Sequence, residues 1–584
     1  MKKPPFFWRL QSLKIIFILL FIAIISRLFY WQVLARESLA NLAKNQYYSE
    51  KEIQSKRGEI LASDNFPLAS NKTAYLLFTS LREINKPVKE IALKLAPFTF
   101  FEEEASQEGK KKPLKKDLIK KEEENLLEKL QLDNLSWVIL KHKILKEDKE
   151  KIEDLKLKGL GFEEEQIRYY PEASMAAHLL GFLGKNEAGQ DTGYFGLEGY
   201  YDNELRGRQG LLTQETDAAN KPILIGSFFS QEKKDGQNLV LHLNRSIQFM
   251  VEEKLEKAVE KYGAKSGSVM IMDPWTGGVI ALANYPSFDP KKYYLFDKDK
   301  FINDLISDSY EPGSTFKIFV MAAALDKEVV KSNTKCDICD KPLKIDKYEI
   351  KTWDEKYHPD STMDKVIQNS DNLGMVFVSR KLGLDDFFQY LTDFGFGSLT
   401  EIDLQGETEA LLKDKSFWNN VDLATASFGQ GLAVSGTQLL RATGAIANGG
   451  KLMKPQVVKE IISSGERIKI EPEVLREVIK PKTAKIITEM MVQAVEKGET
   501  KWLKIKGYQV AGKTGTAQIP VAGHYDTEKT IASFVGFAPA KEPKFVMLVK
   551  LREPSSSPWG SETAAPLFFS ITKELLLYYG IPPS

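Results

Sequence analysis

Residues 311–317 read EPGSTFK and place Ser314 three positions before Lys317. On a helix such a pair shares one face and nearly touches. A serine hydroxyl is a weak nucleophile and needs a base. A lysine can be that base if burial and positive neighbours make it give up its proton readily. Pro312 and Gly313 suit a helix start, and the field of a helix N-terminus favours negative charge on the Ser314 oxygen. Alone, this spacing is common on surface helices and carries little weight. Two further segments share its chemistry. NSDNLG (369–374) holds Ser370, which can pass a proton, and Asn372, which can orient an amide; by itself the segment reads equally well as a helix cap. GYQVAGKTGTAQ (507–518) holds Lys513, Thr514, Gly515 and Thr516.

That last segment has a rival reading. Gly507, Gly512, Lys513 and Thr514 fit the phosphate-cradling pattern G-x-x-x-x-G-K-[ST]. A phosphate loop needs a buried strand before it and a helix after it. The preceding KGETKWLKIKGYQV is too polar for a central parallel strand, and Gly515, Pro520 and Gly523 allow no helix to begin. What remains is a strand over 508–518 with Thr514 and Thr516 on one side. Gly515 between them is expected to leave room for an extended peptide added as a strand. Ser370 follows Ser314 by 56 residues and Lys513 follows Ser370 by 143, so three weak matches become one ordered set.

The chain that must position these groups has 584 residues, enough for two to four domains. With 81 Lys and Arg against 80 Asp and Glu the net charge is +1, which speaks against nucleic acid as a partner. IIFILLFIAII (15–25) is unbroken apolar sequence, and with its flanks, residues 13–33, makes a helix of about 30 Å, one bilayer core. Lys2, Lys3, Arg9 and Lys14 before it keep the tail cytoplasmic, while Trp8, Tyr30 and Trp31 suit the interfaces. Arg27, near the outer end, can snorkel or meet a partner helix. A cleaved signal peptide is the rival, opposed by the length of the stretch and by Arg27. Residues 102–160 are dense in Lys and Glu, with leucines at helical spacing, and read as exposed helices with one apolar stripe. GSVMIMDPWTGGVIALAN (267–284) is a hairpin signal, and TIASFVGFAPAKEPKFVMLVKL (530–551) gives a second strand pair. Strands at both ends around helical segments predict one antiparallel sheet closed by the chain ends, with a helical subdomain between. Cys336-x-x-Cys339 is open to a local disulfide, two thiols or, with few histidines nearby, zinc.

The three ordered motifs resemble those of penicillin-binding proteins, for which S-x-x-K, S-D-N and K-T-G are known signatures. The chain is most similar to class B members, monofunctional peptidoglycan D,D-transpeptidases anchored by one helix. RGEILASDNFPLA (57–69), RYYPEASMAAHLLGFLG (168–184), GLEGYYDNELRGRQG (196–210) and ASFGQGLAVSGTQLLRA (426–442) carry the resemblance beyond the motifs and set the chain apart from a β-lactamase. It implies an α+β multidomain fold. Residues 1–10 would be a cytoplasmic tail, 11–34 a transmembrane anchor and 35–235 an elongated pedestal (dimerisation) domain with the charged insert at 102–160. Residues 236–584 would be a transpeptidase domain of the serine β-lactamase type, with helices on both faces of its sheet. Ser314, Lys317, Ser370, Asn372 and Lys513 would be catalytic. Thr514, Gly515 and Thr516 would bind the donor peptide, and the N–H groups of Ser314 and Thr516 would form the oxyanion hole. No metal or cofactor is expected.

The implied partners are D-Ala-D-Ala stem peptides, β-lactam antibiotics, membrane lipid, a polytopic glycan-polymerising glycosyltransferase and other division proteins. The implied location is the plasma (inner) membrane, single-pass, with the catalytic domain outside. Residues 373–397, 401–407 and 510–518 resemble the septal, cell-division type rather than the elongation type that sets cell shape. A non-catalytic β-lactam sensor or scaffold is the alternative from another class, against which the complete motif set and the short cytoplasmic tail speak.

Overall fold

The computed structural model describes residues 5–100, 114–132, 137–215, 223, 228–521 and 524–583. The chain divides into two compact units, Met1–Lys56 with Gly207–Asp235, and Arg57–Arg206 with Gly236–Ser584. In the first, one helical stretch, Phe7–Leu34, is long and apolar enough to cross a membrane among the described residues. Its apolar side chains have nothing to bury against within the unit, so they stand exposed along its length. Arg27 lies over the rings of Tyr30 and Trp31 on its own helix, at 5.9 and 5.1 Å from their centroids. A three-stranded antiparallel sheet of Tyr48–Ile53, Gly210–Glu215 and Phe228–Gln231 completes the unit.

The second unit carries the motifs. Its central sheet has five strands in the order Val279–Tyr285, Ser266–Met272, Phe545–Arg552, His524–Ala538 and Ala511–Val521, all antiparallel. The expected hairpin over 267–284 therefore pairs with the C-terminal strands, and the chain ends close the sheet. Phe545, Met547, Val549 and Leu551 pack on one face with the helices Arg245–Tyr262 and Ala564–Tyr578. Val546 and Leu548 pack on the other, toward the helix Gly436–Ala447. Burial on both faces explains why FVMLVKL shows no polar alternation.

Residues 57–169 build a lobe around the long strand Pro67–Ser80, flanked by the antiparallel strands Trp137–Ile144 and Leu160–Tyr169. Here the reading of 102–160 needs correction. The helix Lys115–Leu130 does bury a stripe, Leu126 and Leu130, but Trp137–Ile144 is a strand. With Leu140 and Ile144 it joins Leu77, Ile91 and Leu95 in one core. The segment is an integral wall of the lobe rather than exposed helices alone. Glu122, inside the charged run, is buried against Lys141 at 3.1 Å. The part of the run at 101–113 lies outside the described residues.

The three N-terminal signatures meet at one point. Arg57 from the first, Arg168 from the second and Glu198 from the third form a buried cluster, with Glu198 wholly inaccessible and 2.6 Å from both guanidinium groups.

Candidate active site

Gly313–Phe316 form a tight 3-10 turn that runs into the helix Lys317–Asp326. Ser314 lies in this turn and Lys317 opens the helix that follows it. Every residue of the helix is buried, because KIFVMAAALD is apolar on all sides and sits at the centre of the helical subdomain. Lys317 is fully inaccessible, and its ammonium is satisfied locally. Nζ donates to Ser370 O at 2.6 Å, to Asn372 Oδ1 at 2.7 Å and to Ser370 Oγ at 3.2 Å. Burial first, and the neighbouring Lys513 charge second, bring its pKa down to about 7; Asp371 and Glu499 oppose them. A buried lysine so placed can accept a proton from Ser314 near neutral pH. Acylation of Ser314 should accordingly rise about tenfold per pH unit as pH approaches about 7 from below, as read from stopped-flow or gel-based rates of penicillin labelling. A flat profile between pH 5 and 7 would remove Lys317 as the base.

Ser370 lies in the turn between the helices Met363–Gln368 and Asn372–Leu382. Its φ of +56° is rare for a serine, and the left-handed bend delivers its carbonyl to Lys317. Asp371 caps the second helix, accepting from Leu373 N at 2.8 Å and Gly374 N at 3.2 Å, and so fixes the turn. Asn372 Nδ2 donates to Lys351 O at 3.0 Å. Nearby in sequence, Cys336 and Cys339 form a local disulfide, which realises one of the three readings left open by their spacing.

The third motif lies on the edge strand Ala511–Val521, so the phosphate-loop reading is excluded by a strand where a helix would have to start. Lys513 is buried, and burial lowers its pKa, with Glu499 partly offsetting. Its Nζ donates to Thr514 Oγ1 at 3.1 Å, and Thr514 Oγ1 donates in turn to Glu499 Oε2 at 3.0 Å. Thr516 Oγ1 accepts from Gly560 N at 3.0 Å. Gly515 is approached closely on one face: a Cβ there would lie 2.5 Å from Ser533 Oγ, 2.8 Å from Thr315 Cγ2 and 3.0 Å from Pro312 O, so the missing side chain admits the neighbouring strand and the turn that carries Ser314. Gly313, at φ +54°, completes this approach, since a Cβ on it would sit 2.9 Å from Thr516 O. The outer side of the strand pairs with no other strand among the described residues and stays open to an extended peptide.

Ser314, Ser370, Asn372, Thr514 and Thr516 line one cleft of about 380 Å³. Lys317 and Lys513 lie buried alongside it. The cleft is also lined by residues the motifs did not reveal. Phe428 and Gln430 come from the loop 426–431, whose Gly429 O accepts from Gly313 N at 3.0 Å and braces the serine turn. Trp353 and Trp559, with ring centroids 5.5 Å apart, and the carboxylates Glu499 and Glu562 complete the walls. The loop was visible in the sequence as the segment 426–442. The tryptophans and glutamates are isolated residues with no local pattern.

Comparison with known proteins agrees with this geometry. Residues 267–573 match the family described as the penicillin binding protein transpeptidase domain, and 52–241 match the penicillin-binding protein dimerisation domain. Stage V sporulation protein D of Bacillus subtilis (strain 168) is 33% identical over 98% of this chain and 86% of its own length. Peptidoglycan D,D-transpeptidase FtsI of Escherichia coli (strain K12) is 32% identical over 74% of this chain and 71% of its own. The crystal structure of penicillin binding protein 2X from Streptococcus thermophilus superposes with a TM-score of 0.72 at 23% identity, covering 91% of this chain and 80% of that one, and so shares the fold.

Proposed function

The chain belongs to the penicillin-binding protein transpeptidase family, and on that premise we propose that it cross-links peptidoglycan stem peptides through an acyl-enzyme on Ser314. The observation that carries this reading is the Lys317 ammonium, held by both Ser370 and Asn372 beneath the serine turn and beside the Lys513–Thr514 wall of the same cleft. In this reading a donor peptide adds along the open edge strand. Its terminal carboxylate meets Lys513, Thr514 and Thr516. Ser314 Oγ attacks the penultimate D-Ala carbonyl while Lys317 takes its proton, and the N–H groups of Ser314 and Thr516 stabilise the oxyanion, each worth about 10² to 10³ in rate. The peptide C–N bond breaks, Ser370 relays a proton to the leaving amine, and D-Ala departs. An amine of a neighbouring stem peptide then attacks the ester and regenerates Ser314. β-Lactams enter the same path and stop at the ester. Gly515 lets the serine turn pack, and in this reading its backbone lies beside the donor peptide on the open edge of the strand.

The helix Phe7–Leu34, the one stretch among the described residues long and apolar enough to cross a membrane, supports a single-pass anchor. We place residues 1–10 in the cytoplasm, a pedestal at 35–235 and the catalytic domain, 236–584, outside. The septal role rests on the similarity to FtsI of E. coli and on the segments 373–397 and 401–407. A glycan-polymerising glycosyltransferase is then the expected neighbour in the membrane. Depletion should yield filaments with unfinished septa, and a fluorescent fusion should gather at midcell. Swollen round cells with label along the side wall would assign the enzyme to elongation instead.

A further inference from the structure

A buried ammonium is costly unless a counter-charge is near. Among the described residues Lys513 has no direct ion pair; its Nζ donates to Thr514 O at 3.3 Å and to Thr514 Oγ1 at 3.1 Å. A hydroxyl has one hydrogen, and Thr514 gives it to Glu499 Oε2 at 3.0 Å. The three groups form a relay in which each donor faces an acceptor, ending on a carboxylate. Glu499 is pinned at the far end. It follows the helix Pro481–Lys497 by two residues, and a Cβ on the intervening Gly498 would lie 2.6 Å from Gln368 O, so the chain turns hard against the helix that leads into Ser370.

We propose that Glu499 is a positioning residue for acyl transfer, the counter-ion of Lys513 acting through the Thr514 hydroxyl. It touches neither the serine nor the scissile bond in this reading. The other charges around the relay are Lys317 and Asp371 beneath the cleft, Asp354, Lys356, His358 and Lys497 on the side of Glu499 away from it, and Glu562 on the cleft wall. Glu499 favours the protonated form of Lys513 and of Lys317 alike. Acylation needs Lys317 free of its proton and Lys513 charged, which makes the rate bell-shaped in pH. Without the carboxylate both lysines give up protons at lower pH, so both limbs of the bell move to the acid side together.

The test is the rate of fluorescent-penicillin labelling of the full-length protein from pH 5 to 10. Wild type is compared with Glu499→Gln, which keeps an acceptor for Thr514, Glu499→Ala, and Glu562→Gln as a second cleft carboxylate. The inference rests on Ser314 being acylated, so labelling of wild type and its loss in Ser314→Ala are established first. Both Glu499 variants should then shift both limbs down by at least about half a pH unit, roughly a threefold rate change at a fixed pH on either limb. Glu562→Gln should leave the limbs in place. Limbs that stay put in Glu499→Gln, or that move as far in Glu562→Gln, would overturn the inference without touching the reaction assigned to Ser314.

Discussion

Full-length protein carrying Ser314→Ala should take up no covalent penicillin, a loss of about 10³-fold or more against wild type. Two features make this the largest effect on activity. Ser314 lies in the 3-10 turn that runs into Lys317, and the turn is braced on both sides, by Gly429 O at Gly313 N and by the edge strand at Gly515. Three other hydroxyls of the cleft have partners of their own. Ser370 Oγ accepts from Lys317, Thr514 Oγ1 donates to Glu499, and Thr516 Oγ1 accepts from Gly560 N. None of the three lies in the serine turn. The fold should not suffer. Ser314 is only half-buried, Thr315 Oγ1 still closes the turn on Pro312 O at 2.7 Å, and the expected change in stability is within about 0.5 kcal/mol. The check is gel fluorescence after labelling, paired with a melting curve of the same preparation. Equal labelling of the two proteins would refute Ser314 as the nucleophile, whatever the melting curve shows.

The parts of this site that were legible in the sequence are those whose chemistry is local. Ser314 and Lys317 are three residues apart, Ser370 and Asn372 two, and Lys513 to Thr516 run consecutively, so each group shows its partner within one turn or strand. The strand pairs at 267–284 and 530–551 were legible for the same reason, since an apolar run broken by a tight turn is a local signal. Glu499 stands 14 residues before Lys513, and Trp353 some 200 before Trp559; only the fold brings such pairs together. The missing side chain of Gly515 signalled a close approach, but a sequence does not say which groups approach. The strand Trp137–Ile144 was obscured by composition. The Lys and Glu around it set the expectation of solvated helices, although Leu140 and Ile144 point into a core. The N-terminal signatures were visible as segments, yet their shared purpose was not, because a salt bridge across 141 residues leaves no local pattern.

That shared purpose sets the largest expected effect on stability. Glu198→Ala should destabilise the protein by about 3 to 5 kcal/mol, because it strips two buried guanidinium groups of their common counter-ion. Arg57 Nη2 lies 2.6 Å from Glu198 Oε2 and Arg168 Nε 2.6 Å from Oε1, so both carboxylate oxygens are in use. Asp202, 2.8 Å from Arg57 Nη1, leaves Arg57 some compensation; Arg168 retains only neutral acceptors, Gly58 O at 2.7 Å and Asn71 Oδ1 at 3.2 Å. The loss should therefore be felt where Arg168 ties the strand Leu160–Tyr169 to the loop after Arg57. The pH dependence follows with a definite sign. Burial alone would raise the Glu198 carboxyl, but Arg168 and Arg57 outweigh it and hold it below its ordinary 4.5. A depressed carboxyl contributes stability that is fully present above the unfolded value and is lost as pH falls through the folded one. Wild type should thus lose part of its stability below about pH 4.5, and Glu198→Ala should lack that component because it has already lost it. Melting curves at pH 7 and pH 4, with the exposed Glu187→Ala as control, measure both effects. Glu198 does not line the catalytic cleft, so penicillin labelling per folded molecule should be unchanged. A loss below about 1 kcal/mol at pH 7 would show that the two arginines find other partners and that the cluster does not hold the three signatures together.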